Sequence, residues 1–501
     1  MKFLNASSPS AASDIIIAVF LALFTIGCII VFVAFLCRFC NDNGDVPNKT
    51  VKLLLLFILG FAIRLVFALF VRGFRDDYAL FVSMFDHLKT DGLSGYYNGS
   101  ASGVLYPVVY AVYLIFGGLS NASSMSDYAL GMQFMIKLPL IIADLLAAFA
   151  LYKMAGRYFN KRASLAVLAF ACICPIFFVG SSIWCSPIAF TVMFACFACY
   201  FLAKKYYALT IAFATLAAFS SKEGIYLFPM VAVFAVFHLV RAIKSLTAEG
   251  ENRGTLSENR AVITVPVGFV LSLVGAYIIG LFMIGSYSYN PFDYIYRFLL
   301  APLVEWDYFT VNGLSVYALF GRNGVEPGAR FPAWLFAGIF AVILTVVVCV
   351  VYFTKRNRAT LVMLGSFCLL TMQLYYPGAT AISMQSTLAL LLAAYVLVKD
   401  KRILHVLFVV GLAYVVNVIS TMSDAGYLNN LADYDLTALA ESVSATQNAV
   451  CIVCSVLAVI AHLYFTVVSV SVGMTGQKQQ LLPANGLKAS IKEYFSVRKV
   501  K

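Results

Sequence analysis

The sequence predicts an all-α, polytopic membrane protein with about 13 transmembrane helices. Three observations carry that prediction. The 501 residues are 62% hydrophobic and only 12% charged, with a mean hydropathy of +0.90. Ordinary globular chains are about half apolar and about one quarter charged. Apolar runs of bilayer-spanning length recur from one end of the chain to the other. Lysine and arginine, finally, gather in the short connections on one side of those runs, which fixes an orientation.

The expected spans are 14–37, 51–71, 132–153, 163–180, 183–203, 206–220, 224–241, 261–285, 332–354, 359–376, 380–398, 403–421 and 448–472. The first run is too long for a signal-peptide core and no small-residue cleavage site follows it, so it reads as a retained helix. Lys153, Arg157, Lys161 and Arg162 share a side with Lys204 and Lys205. Alternation puts Arg241 to Arg260, Lys355 to Arg358, Lys399 to Arg402 and the basic tail 473–501 on that same side. By the positive-inside rule it is cytoplasmic, with the N-terminus outside and the C-terminus inside. The net charge of +12 follows this topological pattern, so no nucleic-acid partner is expected. Three Cys-x-x-Cys pairs, at 37–40, 196–199 and 451–454, lie in apolar helices without histidine partners and read as packing residues.

This orientation leaves three long segments outside: 72–131, 286–331 and 422–447. In the first, Tyr78, Phe81, Val82, Phe85 and Leu88 recur at helical spacing and predict an amphipathic helix over 78–90, lying along the membrane interface. A second interfacial helix is expected over 105–119, which is apolar but too short to span and opens at Tyr106-Pro107. Segment 286–331 is aromatic-rich and should also hug the bilayer. The inner loop 241–260 reads as a solvated linker. The sequons at Asn5, Asn98 and Asn121 fall on the outer face, as so loose a pattern does by chance. The implied division is an N-terminal extra helix and linker at 1–50, a transmembrane module at 51–421, an outer loop with the last helix at 422–472, and the tail at 473–501.

Carboxylates beside a membrane cost solvation energy unless they are used or paired. Asp76 and Asp77 stand at the start of the first outer loop, beside Arg75. Asp144 lies inside a span, with Lys137 two turns away as its natural partner. Arg297 and Arg322 on the late outer segment and Lys222 in an outer turn are cations that could meet a phosphate, although snorkelling is the commoner fate of such residues. His87, the one histidine in an outer loop, reads as an interfacial residue.

Several of these pieces, read together over roughly 60–420, resemble the GT-C class of integral-membrane glycosyltransferases, and within it the bacterial relatives of the second GPI mannosyltransferase. Asp77 stands where that group has its loop Asp. Tyr106-Pro107 with Tyr110 is similar to its Tyr-Pro-Pro stretch, and Lys137-Leu138-Pro139 with Ala143-Asp144 to its next span. Ser221-Lys222 with Pro229 resembles its Thr-Lys-Pro turn, with Glu223 in place of the proline. Val311-Asn312-Gly313, Tyr317-Ala318-Leu319 and Gly321-Arg322-Asn323 resemble its late outer loop. Two segments depart. Where the group has Trp-Gly-Gln followed by Asp, this chain reads Trp184-Cys185-Ser186-Pro187-Ile188; where it has His-Glu-Arg-Tyr, this chain reads Ala381-Ile382-Ser383-Met384-Gln385-Ser386.

The resemblance implies transfer of a hexose, with mannose the first expectation, from a polyprenyl-phosphate carrier to an extracytoplasmic glycan, glycolipid or protein, with inversion and without a cofactor. It implies Asp77 as general base with Asp76 beside it, Arg322, Arg297 and Lys222 as candidates for the donor phosphate, and a cavity lined by Arg75, Tyr106, Lys137, Asp144, Trp184 and Asn312. It also implies a bacterial plasma membrane, with the active face outside. The departures keep a second reading open: a GT-C-shaped protein without transfer activity, serving as a partner subunit or lipid-carrier binder. A transporter is disfavoured, because no inverted repeat or matched pair of broken spans is present.

Overall fold

A computed structural model describes residues 9–39, 46–92, 96, 105–120, 130–248, 255, 259–284, 295–328, 332–355, 357–424 and 445–480. The three sequons, most of the linker and of the outer loop 422–447, and the end of the basic tail fall outside them.

The chain is an all-α bundle. Its helices are α1 (Pro9–Phe39), α2 (Lys49–Phe70), α3 (Arg75–Thr90), α4 (Pro107–Ser120), α5 (Leu130–Tyr158), α6 (Lys161–Ile173), α7 (Ile188–Lys204), α8 (Tyr207–Ala218), α9 (Lys222–Ile225), α10 (Phe228–Leu246), α11 (Ala261–Ile284), α12 (Ala301–Val304), α13 (Val316–Leu319), α14 (Ala333–Lys355), α15 (Arg358–Tyr375), α16 (Met384–Val398), α17 (Lys401–Asp424) and α18 (Ala445–Val470). Each of the thirteen expected spans contains a helix. Among the described residues, eight helical stretches are long and apolar enough to cross a bilayer. The other spans are shorter apolar helices, and the physical reason is visible in two of them. Pro175 ends α6 at Ile173 and turns the chain into a 3₁₀ turn at Pro175–Phe177 and a π-helical turn at Val179–Trp184. After α8 the chain turns through Phe219–Ser221 into the four-residue α9.

Burial sorts the helices. Every residue of α16 is buried, and α5, α7, α15 and α17 are largely so, which makes these the middle of the bundle. By contrast α1, α2, α11 and α14 expose rows of Leu, Ile, Val and Phe, the surface a bilayer would cover. The middle also holds a buried ion pair. Arg64 Nε lies 3.5 Å from Asp144 Oδ2, and the remaining guanidinium donors meet the carbonyls of Gly60, Ala171 and Cys172. A side chain at Gly60 would collide with Cys172 (2.9 Å to its Cβ), so the glycine sets how closely α2 and α6 approach. Asp144 therefore takes Arg64 as its partner and not Lys137, whose ammonium lies two turns along α5 and donates instead to the carbonyls of Val71 (2.5 Å) and Ser182 (2.7 Å).

Both helices expected in the first outer loop form. The apolar face of α3 is not left to lipid alone: Tyr78, Phe81, Val82, Met84 and Phe85 are buried, and α4 covers part of that face. Phe81 and Tyr113 pack with ring centroids 4.6 Å apart, and Gly117 admits Phe85 and Leu88. Pro107 opens α4, where its missing N–H and fixed φ suit a first turn. The late outer segment is tied down by a two-residue parallel pairing of β1 (Thr310–Val311) with β2 (Ala379–Thr380).

Candidate functional site

Asp77 is positioned by the way α2 stops. Gln133 and Lys137 of α5 donate to the last carbonyls of α2, at Ala68 and Val71, which closes that helix end. The chain then passes Gly73, at φ 132°, where a Cβ would lie 2.6 Å from that of Cys185. Only glycine fits that approach. The Phe74 N–H donates to the Trp184 carbonyl (2.7 Å), and the two aromatic rings stack at 4.2 Å. One turn later the Trp184 indole N–H donates to Asp77 Oδ2 at 2.7 Å. Lys137 also bonds the Ser182 carbonyl, so one ammonium braces both segments that carry the Asp77–Trp184 contact.

Asp76 and Asp77 diverge because neighbouring residues of a helix point about 100° apart. Asp76 is exposed and pairs with Arg75 at 3.2 Å. Asp77 is half-buried, and among the described residues no cation pairs with it. Burial pushes its carboxyl up to about 7; the bonds from Trp184 and Ser186 oppose that rise, and the carboxylates of Asp76 and Glu223 add to it.

Glu223, on α9, is the residue that the sequence reading passed over. It is 5% exposed and its Oε1 accepts from Ser383 Oγ at 2.9 Å. Ser383 in turn holds the Thr380 N–H and hydroxyl. The signal was present: Glu223 is the one carboxylate between Asp144 and Glu249, and it stands in a turn rather than in a basic connection. Tyr106 lies against the Lys222 backbone, and burial together with the Glu223 carboxylate holds its phenol protonated, far above its ordinary value. Lys222 is half-buried and turns away from Glu223 to the Gly378 carbonyl.

The other candidates divide. Arg297 pairs with Glu305 at 3.6 Å. The Arg322 side chain is exposed. Asn312, at φ 50°, is spent on structure: its carboxamide oxygen and backbone N–H both meet Asn323 (2.9 and 2.7 Å), and its carbonyl accepts from Asn417 (2.6 Å). Asp77, Trp184, Tyr106, Lys222, Glu223 and Ser383 are thus brought to one end of the bundle. At the opposite end Phe39 meets Asn160 and Arg162, and Phe159 meets Tyr395 and Lys399.

Below α9 opens an apolar cavity of about 410 Å³ between α8, α10, α11, α14 and the π-helical turn Tyr296–Leu300. Phe219, Tyr226, Phe269, Leu299 and Tyr376 are among its lining, as is Gly224, the residue after Glu223. Among the described residues no three His, Cys, Asp or Glu side chains cluster in a way that could hold a metal ion.

Residues 129–248 match the dolichyl-phosphate-mannose-protein mannosyltransferase family. The matched stretch runs from α5 through α10 and so contains Asp144, Trp184, Lys222 and Glu223 but not Asp77. No curated protein matches the chain. With the all-α bundle, this match supports an integral, multi-pass membrane glycosyltransferase of the GT-C type, working with a lipid-linked sugar donor.

Proposed function

We propose that the protein transfers a hexose, mannose being the first expectation, from a polyprenyl-phosphate carrier to an acceptor hydroxyl, with inversion. Asp77 takes the acceptor's proton. The freed oxygen attacks the anomeric carbon, the bond from that carbon to the phosphate oxygen breaks, and polyprenyl phosphate leaves with the electron pair. One displacement, with base and leaving group on opposite faces of the sugar, inverts the centre. The observation that carries this reading is Asp77 itself: a half-buried carboxyl pushed to about 7, held by the Trp184 indole N–H and Ser186 and paired with no cation among the described residues. A base with that value is half ionised near neutral pH, where general-base catalysis works best.

Lys222 is the first choice for the donor phosphate. It shares a single helical turn with Glu223 and with Gly224 and Ile225 of the cavity lining, and it faces a carbonyl rather than a carboxylate. Arg297 comes second, since its pairing with Glu305 must loosen first, and Arg322 third. The cavity has the apolar lining a prenyl chain requires. The basic loops gather at the far end, which supports an active end outside a bacterial plasma membrane and an acceptor that is a surface glycan, glycolipid or protein.

The test is direct. Purified protein in lipid vesicles is given polyprenyl phosphate bearing labelled mannose or another hexose, with oligosaccharide, glycolipid and peptide acceptors. Label should move to an acceptor or be released slowly to water. In Lys222→Met the KM for the donor should rise about tenfold, the loss of one charge-assisted contact. If label stays on the carrier with every sugar offered, a carrier-binding protein without transfer activity becomes the better account.

A further inference from the structure

Besides Asp77 and its exposed neighbour Asp76, the candidate active end holds a buried carboxylate, Glu223, that the transfer step does not use. Asp77 feels the charge of Glu223, and the next residue, Gly224, is part of the lining of the apolar cavity. A lipid-linked sugar that puts its chain in the cavity and its anomeric carbon near Asp77 must carry the sugar ring past Glu223. The environment of Glu223 is unusual for a structural carboxylate. It is 5% exposed, its Oε1 accepts one serine hydroxyl, and no other side-chain or backbone donor among the described residues reaches the carboxylate. The cation next to it in sequence, Lys222, points to the Gly378 carbonyl. Asp77 from α3, Tyr106 ahead of α4 and Tyr226 after α9 all feel the Glu223 charge. None of the three neutralises it. A buried carboxylate with a single neutral donor is poorly compensated, and the donors that remedy this most simply are hydroxyl groups.

We propose that Glu223 is a sugar-binding residue, its carboxylate accepting hydrogen bonds from ring hydroxyls of the lipid-linked donor and so holding the anomeric carbon towards Asp77. This rests on the transfer reading above and adds the residue that senses the sugar rather than the phosphate or the lipid. Ser383 fixes one oxygen of the carboxylate and thereby its plane, which leaves the other oxygen for the ligand. It also gives a role to a turn otherwise empty of charge: 381–386 supplies the hydroxyl that orients a carboxylate brought from α9.

The experiment measures binding, not turnover. Wild-type protein, Glu223→Gln and Glu223→Asp are reconstituted in nanodiscs, and affinities are taken for polyprenyl phosphate and for polyprenyl-phosphate mannose. Glu223→Gln should weaken the sugar-bearing lipid by about 10- to 100-fold, the range of a hydrogen bond to a charged group, and leave bare polyprenyl phosphate unchanged. Should Gln lower the melting temperature, Glu223→Asp carries the comparison. It keeps the charge but draws it back by one methylene, and it should lose the sugar-bearing lipid selectively, though less. Equal weakening of both lipids, or no weakening of either, overturns the proposal. A wild-type protein that binds neither lipid brings down the lipid-donor reading itself, a result separate from the first two.

Discussion

Asp77 and Asp400 stand at opposite ends of the bundle, and their surroundings could hardly differ more. Asp400 precedes α17 and collects donors: the Arg402 guanidinium at 2.8 and 3.0 Å, the Arg402 backbone N–H at 2.9 Å and the Gln479 backbone N–H at 3.1 Å. Burial alone would push its carboxyl up, yet these hydrogen bonds hold it below the usual carboxylate value. Asp77 is pushed the other way, to about 7 by burial, with the Trp184 and Ser186 donors set against two neighbouring carboxylates. A fold that can surround a carboxylate with four donors at one end has left Asp77 at the other without a cation among the described residues and beside two further carboxylates. Satisfied charge reads as architecture; charge kept poorly satisfied reads as chemistry.

The comparison breaks most readily at Asp77. Asn keeps the size and the indole contact but cannot take a proton. Transfer in Asp77→Asn should fall by at least ~10²-fold, the low end for removal of a general base, while donor affinity and melting temperature hold. Full activity in that variant would end the base assignment. The same group sets the pH response. A base must be ionised, so the wild-type rate should be flat above about pH 7 and fall as pH drops through it.

A finer cut goes through Trp184. Phe at that position keeps the stack on Phe74 and removes the N–H that favours ionised Asp77. With that donor gone the carboxyl rises further. In Trp184→Phe the acid limb of the rate profile should therefore move upward, by about one pH unit for a change of about 1.4 kcal/mol. Activity should return at higher pH, a recovery that mere structural damage would not give. An unmoved acid limb would detach Trp184 from the base.

How much of this the sequence disclosed depends on the kind of interaction. The helices were legible because apolar length and basic connections are local signals, and α3 and α4 were legible from spacing and from Tyr106-Pro107. Asp77 was legible too, as a carboxylate where one is costly. The Lys137 contacts were not: helical spacing suggests Asp144, while the Val71 and Ser182 carbonyls come from distant parts of the chain. Arg64 was hidden inside an ordinary-looking span for the same reason. The partners of Asn312, Asn323 and Asn417, were not legible either, because Asn417 lies more than a hundred residues along the chain. Glu223 was seen as a replaced proline. Its meaning lies in being near Asp77 and Ser383, residues 146 and 160 positions away in sequence, and no local pattern encodes such proximity.

The smallest effect is expected at Asp400, and it bears on the other half of the comparison. Asp400 caps α17, and its acceptors also anchor the Gln477–Gln479 strand of backbone through Arg402 and the Gln479 N–H. Asp400→Ala removes the cap and should cost about 1 kcal/mol of stability. Transfer should be untouched once the protein is folded, because nothing at the Asp77 end depends on it. Its pH dependence shows in stability, not in rate, and at lower pH than that of Asp77. A carboxyl whose folded-state value is depressed contributes stability above its unfolded value, about 4, and loses that contribution as pH falls through the folded one. The melting-temperature gap between wild type and Asp400→Ala should therefore be constant above about pH 4 and narrow below it. A loss of transfer at neutral pH in folded Asp400→Ala would couple the two ends and end the division of labour between them.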